Sequence, residues 1–275
     1  MDYIQIQVTL NKVTPYIDVI KQELAIIYFD AFEDHDSGFS AYVPESKYDK
    51  QKLNLILNPY GEWIKTYEEI RHPYQNWNAV WEENFNPIRI NEKCIIRSSF
   101  HPTSNLPFEI IINPEMSFGT GHHETTRLIA RELFNVDINS KKVLDFGAGT
   151  AILSILAEKL GASYVDAVEI DDKVVCNAKK NVSLNNCSLI NLISGDGESI
   201  PNMAYDLILV NINKNTIIEE FEHIFRVGKT DAVILFSGFF INDLSSIVNY
   251  GEKFGLIPLS SNTENEWSLL CMKFK

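Results

Sequence analysis

The chain has 275 residues, of which 45% are hydrophobic, so it can form one large domain or two smaller ones with packed cores. Its 37 acidic residues outnumber its 24 basic residues, and the formal net charge is −13. A surface that follows phosphate groups normally carries positive charge, so nucleic acid is not expected as the main partner. A basic protein is the kind of partner that this charge attracts.

The N-terminus lacks the basic and apolar pattern of a secretory signal, and no apolar run approaches the roughly 20 residues of a membrane span. The four cysteines are scattered without a Cys-x-x-Cys pair, which is typical of reduced thiols in a cytosolic protein. We therefore expect a cytoplasmic protein with no membrane partner. Nothing in the composition indicates an oligomeric state.

The first 75 residues predict a small α+β domain. Hydrophobic residues alternate with polar ones from Ile4 to Leu10, as in a half-buried strand. The patterns that follow predict a helix from Pro15 to about Phe32, a strand over residues 39–43, a strand over residues 53–57 and a helix over residues 63–71. This order with short loops favours an α+β unit.

Three aromatic residues recur at helical spacing after this domain. Trp77, Trp81 and Phe85 stand at i, i+4 and i+8, which predicts the apolar face of a short helix that ends before Pro87. We interpret this helix as the connection between two domains. The expected organisation is an N-terminal domain over residues 1–75, a linker helix over residues 76–88 and a second domain over residues 89–275.

From about residue 115 the pattern becomes a long alternation of helices and strands. Helices are predicted over residues 124–135, 152–160, 173–185, 216–225 and 242–254. Buried strands are predicted over residues 143–146, 164–169, 189–194, 205–211 and 232–237, and two antiparallel strands over residues 256–275. Apolar strands that alternate with helices predict an α/β fold with a mainly parallel sheet covered on both faces.

A glycine turn carries the first chemical signal. In Asp145-Phe-Gly-Ala-Gly149, Gly147 and Gly149 leave the backbone open to a ligand, and the following helix offers free N–H groups. Glu169 lies at the end of the next strand, where an acid can accept the hydrogen bonds of a ribose diol. An ordinary tight turn with a solvated acid is the alternative, and the combined context favours a nucleoside pocket.

The same segment separates two classes of nucleoside cofactor. A dinucleotide fingerprint needs a third glycine where this chain has Ile152. Asp145, two residues before the first glycine, suits the positive amino or sulfonium end of a ligand better than it suits a pyrophosphate. Both observations favour S-adenosylmethionine as the cofactor.

Polar residues follow the third and fourth strands of the alternating region. Asp196 is a candidate acceptor for the adenine amine, and the alternative is a turn aspartate with a local hydrogen bond. Asn211 ends the fourth strand, at the sheet edge where ligands bind, and its carbonyl group can orient an acceptor amine. Asn213 fits the N-cap of the next helix better.

These motifs together resemble one family. Phe118-Gly-Thr-Gly-His-His-Glu-Thr-Thr126, the Asp145–Gly149 turn, Glu169-Ile-Asp171 and Asn211-Ile212 occur in the order and spacing of the ribosomal protein L-11 methyltransferases (PrmA). Trp81-Glu-Glu-Asn-Phe85 resembles the linker of that family, and Glu266-Trp267 resembles its final strand region. The resemblance covers about residues 77–275, and its most specific part is the Phe-Gly-Thr-Gly-His segment.

The resemblance implies a ferredoxin-like substrate-recognition domain and a class I methyltransferase domain with a Rossmann-like, mainly parallel, seven-stranded sheet. It also implies N-methylation of lysine side chains and the N-terminal amine of ribosomal protein L-11. The cofactor-binding residues that we expect, from the resemblance and from the motifs, are Phe118, Thr120, Thr126, Asp145, Gly147, Gly149, Glu169, Asp196 and Asn211.

The chain departs from the family pattern at three positions. Ala151 replaces a glycine, Glu169 replaces an aspartate, and Asn213 replaces a leucine. The first two changes keep the size or chemistry of the side chain, whereas Asn213 alters the polarity near the acceptor site. The divergent N-terminal domain makes the protein substrate the least constrained part of the prediction.

We predict two catalytic residues. Asn211 orients the acceptor amine, and His122 accepts or relays its proton, unless His122 only bonds loop backbone. His122, His123 and Glu124 are adjacent and lack metal-ligand spacing, so no metal is expected. Two alternatives stay open, namely a methyltransferase of this fold that acts on another protein or small amine, and a non-catalytic nucleoside-binding module.

Overall fold

A computed structural model of the chain describes residues 2–11, 16–73, 85–113, 115 and 117–275. The chain divides into two compact units, Met1–Asn84 and Phe85–Lys275. Most of the linker helix predicted over residues 76–88 lies outside the described residues. None of the helices within the described ranges is long and apolar enough to cross a membrane.

The described residues of the N-terminal unit form four strands and two α-helices. In chain order these are β1 (Tyr3–Leu10), α1 (Ile17–Ile26), β2 (Ala31–His35), β3 (Gly38–Pro44), α2 (Lys50–Leu57) and β4 (Ile64–His72). The strands form one antiparallel sheet in the order β2-β3-β1-β4. This βαββαβ arrangement is the ferredoxin-like fold, so the predicted α+β class is confirmed.

The strand predicted over residues 53–57 is wrong, because these residues form α2. Asp49 caps this helix by accepting hydrogen bonds from the amides of Gln51 and Lys52. Leu53 and Leu57 are buried one helical turn apart, while Leu55 between them is 73% exposed. Leucines at alternate positions fit a strand, but Leu53 and Leu57 also fit one face of a helix, because they are four residues apart. The N-cap at Asp49 stabilises the helix.

The helix predicted over residues 63–71 is also wrong, because this segment forms β4. The strand pairs with β1 along its length, with Glu69 opposite Ile6 and Tyr67 opposite Val8. This partner is far away in the sequence, so local periodicity does not reveal it. The first helix is shorter than predicted, since Tyr28 adopts a left-handed φ of 74° two residues after α1 ends.

The second unit opens with a small sheet of β5 (Ile88–Arg89), β6 (Cys94–Arg97) and β7 (Phe108–Ile111). The alternating region contains the helices α3 (Glu124–Glu132), α4 (Ile152–Lys159), α5 (Asp172–Leu184), α6 (Lys214–Glu219), α7 (Phe221–Phe225) and α8 (Leu244–Lys253). Its strands are β8 (Lys142–Phe146), β9 (Tyr164–Glu169), β10 (Ile190–Ser194), β11 (Tyr205–Asn211), β12 (Gly228–Phe240), β13 (Ile257–Glu264) and β14 (Trp267–Lys273).

These seven strands form one sheet in the order β10-β9-β8-β11-β12-β14-β13. The first five are parallel, and β14 runs antiparallel to both of its neighbours. The predicted mainly parallel seven-stranded sheet is therefore confirmed, including the two antiparallel strands at the end of the chain. The strand order reverses between β8 and β11, and α/β folds bind ligands in the crevice at such a point.

Two hydrophobic clusters cover the faces of this sheet. Leu207 and Leu209 of β11 belong to one cluster, and Ile208 and Val210 of the same strand belong to the other. All four side chains are buried. A strand buried on both faces reads as a continuous apolar run, which is why the sequence predicted these strands well. The packed layers fix the carboxyl ends of β8, β9 and β11.

Candidate functional site

The glycine turn between β8 and α4 has the conformation that a close-fitting ligand site requires. Gly147 and Gly149 both have positive φ, at 75° and 55°. A Cβ atom on Gly147 would lie 2.3 Å from Cγ2 of Ile212, and one on Gly149 would lie 2.6 Å from the Phe118 carbonyl oxygen. Only glycine fits both positions without displacing its neighbours.

Glu169 at the end of β9 is already bonded to this turn. One carboxylate oxygen accepts the Gly149 amide at 3.0 Å, and the other accepts the Asp171 amide at 3.2 Å. The Gly147 and Ala148 amides bond the Val168 carbonyl oxygen. The predicted turn and the predicted acid are therefore adjacent in space, although 20 residues separate Gly149 from Glu169 in the sequence.

A cavity of about 470 Å³ opens at these strand ends. Six of the predicted site residues line it, namely Phe118, Gly147, Gly149, Glu169, Asp196 and Asn211. Four others, Thr120, His122, Thr126 and Asp145, do not belong to its lining. The structure thus brings together the glycine turn, the two acids, the asparagine and the first residue of the loop that precedes α3.

Asn211 lines this cavity, and one polar atom of its side chain is unpaired among the described residues. It is 9% exposed, and its side-chain amide nitrogen lies 3.3 Å from the Thr126 hydroxyl oxygen. Its carbonyl oxygen is buried and has no hydrogen-bond partner among the described residues. A buried unpaired acceptor is unfavourable by about 1–3 kcal/mol, so this oxygen marks a place for a donor from a ligand. Thr126 does not line the cavity itself but contacts the lining residue Asn211.

Asp145 is fully buried outside the cavity lining. Its Oδ2 accepts a hydrogen bond from the Ser154 hydroxyl at 2.6 Å, and its Oδ1 has no partner among the described residues. Burial raises the pKa of this carboxyl to about 6. The direct contact with a ligand that the sequence suggested for Asp145 therefore stays a prediction.

His122 lies beside the loop and not in the cavity lining. Its Nδ1 is 3.1 Å from the Thr120 hydroxyl, and its ring centroid is 4.3 Å from that of Phe85. Burial is the main cause that lowers the pKa of His122. The catalytic role of His122 stays a prediction.

The next residue, His123, does line the cavity. Its Nδ1 accepts the Thr125 amide and thereby caps α3. A neutral imidazole that accepts at Nδ1 carries its hydrogen on Nε2, so His123 is a donor and not a base in this arrangement. The sequence motif did not predict His123 as a catalytic or cofactor-binding residue. Within the described ranges, no group of three or more His, Cys, Asp or Glu side chains is arranged to hold a metal ion.

Aromatic side chains form one wall of the cavity. The His123 ring is 5.2 Å from Phe118 and 4.6 Å from Trp267, and Trp267 stacks on Phe240 at 4.3 Å. Glu264 at the end of β13 accepts hydrogen bonds from Arg127 of α3 and so ties the β13–β14 hairpin to this helix. The hairpin therefore holds Trp267 beside Asn211 and Phe118 in the lining.

Sequence reasoning missed several lining residues, namely Ile170, Thr216, Glu220, Gly238 and Trp267. A signal existed for four of them. Ile170 directly follows Glu169 and is 73% exposed, and Trp267 lies in a segment that resembles the final strand region of the family. Thr216 and Glu220 share one side of α6 with the capping residue Asn213, so the predicted cap would have pointed to them.

A parallel sheet with this strand order and this site defines the class I methyltransferases. A profile of the family described as ribosomal protein L11 methyltransferase (PrmA) matches residues 13–275. The chain belongs to this family and is a methyltransferase whose cofactor is S-adenosylmethionine.

Individual relatives carry the same description. A ribosomal protein L11 methyltransferase of Porphyromonas gingivalis is 39% identical over 259 residues, which cover 92% of this chain and 89% of the relative. One of Phocaeicola vulgatus is 36% identical over 274 residues and covers 98% of both chains. A crystal structure of a ribosomal protein L11 methylase from Lactobacillus delbrueckii subsp. bulgaricus superposes with a TM-score of 0.64. It has 24% identity and covers 70% of this chain and all of that one, which supports the fold.

Proposed function

We propose that this protein methylates lysine side chains and the N-terminal amine of ribosomal protein L11, the protein named in the description of its relatives. The chemical part of the proposal rests on Asn211, a lining residue of the cavity whose side-chain carbonyl oxygen is buried and has no hydrogen-bond partner among the described residues. The excess of acidic residues supports a basic protein as the substrate.

The residues of the cavity fit S-adenosylmethionine. The Gly147–Gly149 turn exposes backbone, Glu169 stands where a ribose diol needs an acceptor, and Ile170 presents an apolar side chain. Asp196 stands at the end expected for the adenine, and Phe118 closes the side expected for the methionine part. When it is bound, the cofactor supplies an electrophilic methyl group on a sulfonium sulfur.

The protein acts on the acceptor amine by orienting it and by changing its protonation. A lysine amine has an ordinary pKa near 10.4, so it must lose a proton before its lone pair can react. Removal of the amine from water in this cavity disfavours the charged ammonium and lowers that pKa. The Asn211 carbonyl accepts an N–H of the neutral amine and directs its lone pair into the cavity.

The test is the mass of L11 after incubation with the purified protein and S-adenosylmethionine. We expect mass increases of one methyl group or more with the wild-type protein. Asn211→Ala should lower the rate by about 100-fold or more, since removal of a single transition-state hydrogen bond has effects of this order. Asn215→Ala, on the exposed side of α6, is the matched control and should retain the wild-type rate.

Two results would contradict the proposal. Full activity of Asn211→Ala would remove Asn211 from the mechanism. An unchanged mass of L11 with active, cofactor-binding protein would leave the alternative of another protein or a small amine as the substrate. Because the variants and the substrate are tested separately, the two parts of the proposal fail independently.

A further inference from the structure

Glu220 is a carboxylate in the cavity that neither the predicted site nor the mechanism uses. It lies at the junction of α6 and α7, and its side chain lines the cavity together with Ile170 and Asp196. Within the described residues its carboxylate has no hydrogen-bond or ion-pair partner. A partly buried carboxylate without a cation or donor beside it is a strong acceptor for a ligand N–H group.

The position of this carboxylate is fixed by close packing against the segment after β10. A Cβ atom on Gly197 would lie 2.0 Å from Oε2 of Glu220 and 2.7 Å from Cβ of His223. The absence of a side chain at Gly197 therefore allows the carboxylate to reach this segment. Arg226 of the same helical region donates to the Gly197 and Ile200 carbonyl oxygens and holds the segment in place.

The strand order decides which part of a ligand reaches Glu220. Glu169 ends β9, and β10 is the next strand toward the edge of the sheet. A nucleoside whose ribose is held at Glu169 extends its base toward β10, where Asp196 and Glu220 lie. Asp196 uses Oδ1 to accept the Glu198 amide, so part of its acceptor capacity is already engaged.

We propose that Glu220 is a specificity-determining residue that accepts a hydrogen bond from the exocyclic amine of the adenine base. It thereby rejects nucleosides that carry a carbonyl oxygen at that position, because two acceptors would face each other there. This inference rests on the proposed function, since it takes the cavity to be the S-adenosylmethionine site.

The experiment compares two ligands that differ along the edge of the base that carries this amine. S-adenosylhomocysteine has the amine at C6 and an acceptor at N1, and S-inosylhomocysteine has a carbonyl group at C6 and an N–H group at N1. Calorimetry measures the dissociation constants of both for the wild-type protein, Glu220→Gln and Glu219→Gln. The last variant is the matched control, because Glu219 is an exposed neighbour of the same charge outside the cavity lining.

The wild-type protein should prefer S-adenosylhomocysteine. In Glu220→Gln this preference should fall about tenfold, because a glutamine amide can donate to a carbonyl oxygen as well as accept from an amine. Glu219→Gln should keep the wild-type preference. The melting temperature of Glu220→Gln without ligand should match that of the wild type, since the carboxylate has no partner to lose in the described structure.

A preference in Glu220→Gln within twofold of the wild-type value would overturn the assignment, and the discrimination would then come from elsewhere in the cavity. This result is distinct from failure of the proposed function. If the wild-type protein binds neither S-adenosylhomocysteine nor S-adenosylmethionine, the proposed function is refuted and the role of Glu220 falls with it.

Discussion

The buried carboxyl of Asp145 should make the stability of the protein depend on pH in an unusual direction. The Ser154 hydroxyl bonds this side chain, and burial raises its pKa to about 6. An aspartate in an unfolded chain has a pKa near 3.9. The folded protein therefore holds this proton more tightly than the unfolded chain does.

The magnitude follows from the difference between these two pKa values. One pKa unit corresponds to 1.36 kcal/mol, so the difference between the folded and unfolded pKa of Asp145 corresponds to about 3 kcal/mol. Because the folded pKa is the higher one, the contribution of Asp145 is fully present below about pH 4 and is lost as the pH rises through about 6. Asp145→Asn removes this dependence, so its stability relative to the wild type should rise by about 2 kcal/mol from pH 4 to pH 7.

The assay is urea unfolding at several pH values, followed by intrinsic fluorescence. Asp206→Asn is the control, because its carboxylate has the opposite perturbation. Burial alone would raise the pKa of Asp206, but the Lys142 amide and the Lys229 ammonium bring it below the ordinary value. The control should therefore show a constant difference from the wild type above about pH 5. A constant difference for Asp145→Asn over the same range would refute the reasoning.

Two further predictions concern other parts of the second unit. Tyr205→Phe removes a hydrogen bond of 2.6 Å from the phenol to the buried Asp166 carboxylate, and it should lower the free energy of unfolding by about 1.5–3 kcal/mol in urea titrations. Gly149→Ala should weaken S-adenosylmethionine binding at least tenfold in calorimetry, because its Cβ atom would displace the Phe118 carbonyl from the loop. The control is Gly255→Ala, because Gly255 also has a left-handed backbone but no atom lies within 4 Å of the new Cβ. Equal affinity of the two variants for S-adenosylmethionine would exclude the displacement of Phe118 as the cause.

The second unit was predictable because its strands are buried on both faces. Strands such as β8 and β11 appear in the sequence as short apolar runs between helices, and the antiparallel end of the sheet followed from two adjacent strand patterns. The first unit was harder, since β4 acquires its identity from pairing with β1 and α2 from the Asp49 cap. Such tertiary and capping contacts override a weak local period.

The candidate site was predictable at positions where the backbone conformation or a helix end requires a particular residue type. Gly147, Gly149 and Glu169 stand where the motif placed them, and Asn213 caps α6 as expected. The wall formed by Trp267 could not be located from its motif alone, since the hairpin that carries it is positioned by ion pairs with α3. Periodicity also could not show which of His122 and His123 faces the cavity.

The two amide hydrogen bonds that Glu169 accepts have a consequence for affinity. A flexible carboxylate would lose rotational freedom when it captured a ribose, which lowers affinity by about 0.5–1.5 kcal/mol for each immobilised side chain. The Gly149 and Asp171 amides have already removed that freedom in the folded protein. The entropy of the Glu169 side chain was therefore lost during folding. If Glu169 binds the ribose as we propose, this entropy would not have to be lost again when the cofactor is exchanged after each methyl transfer.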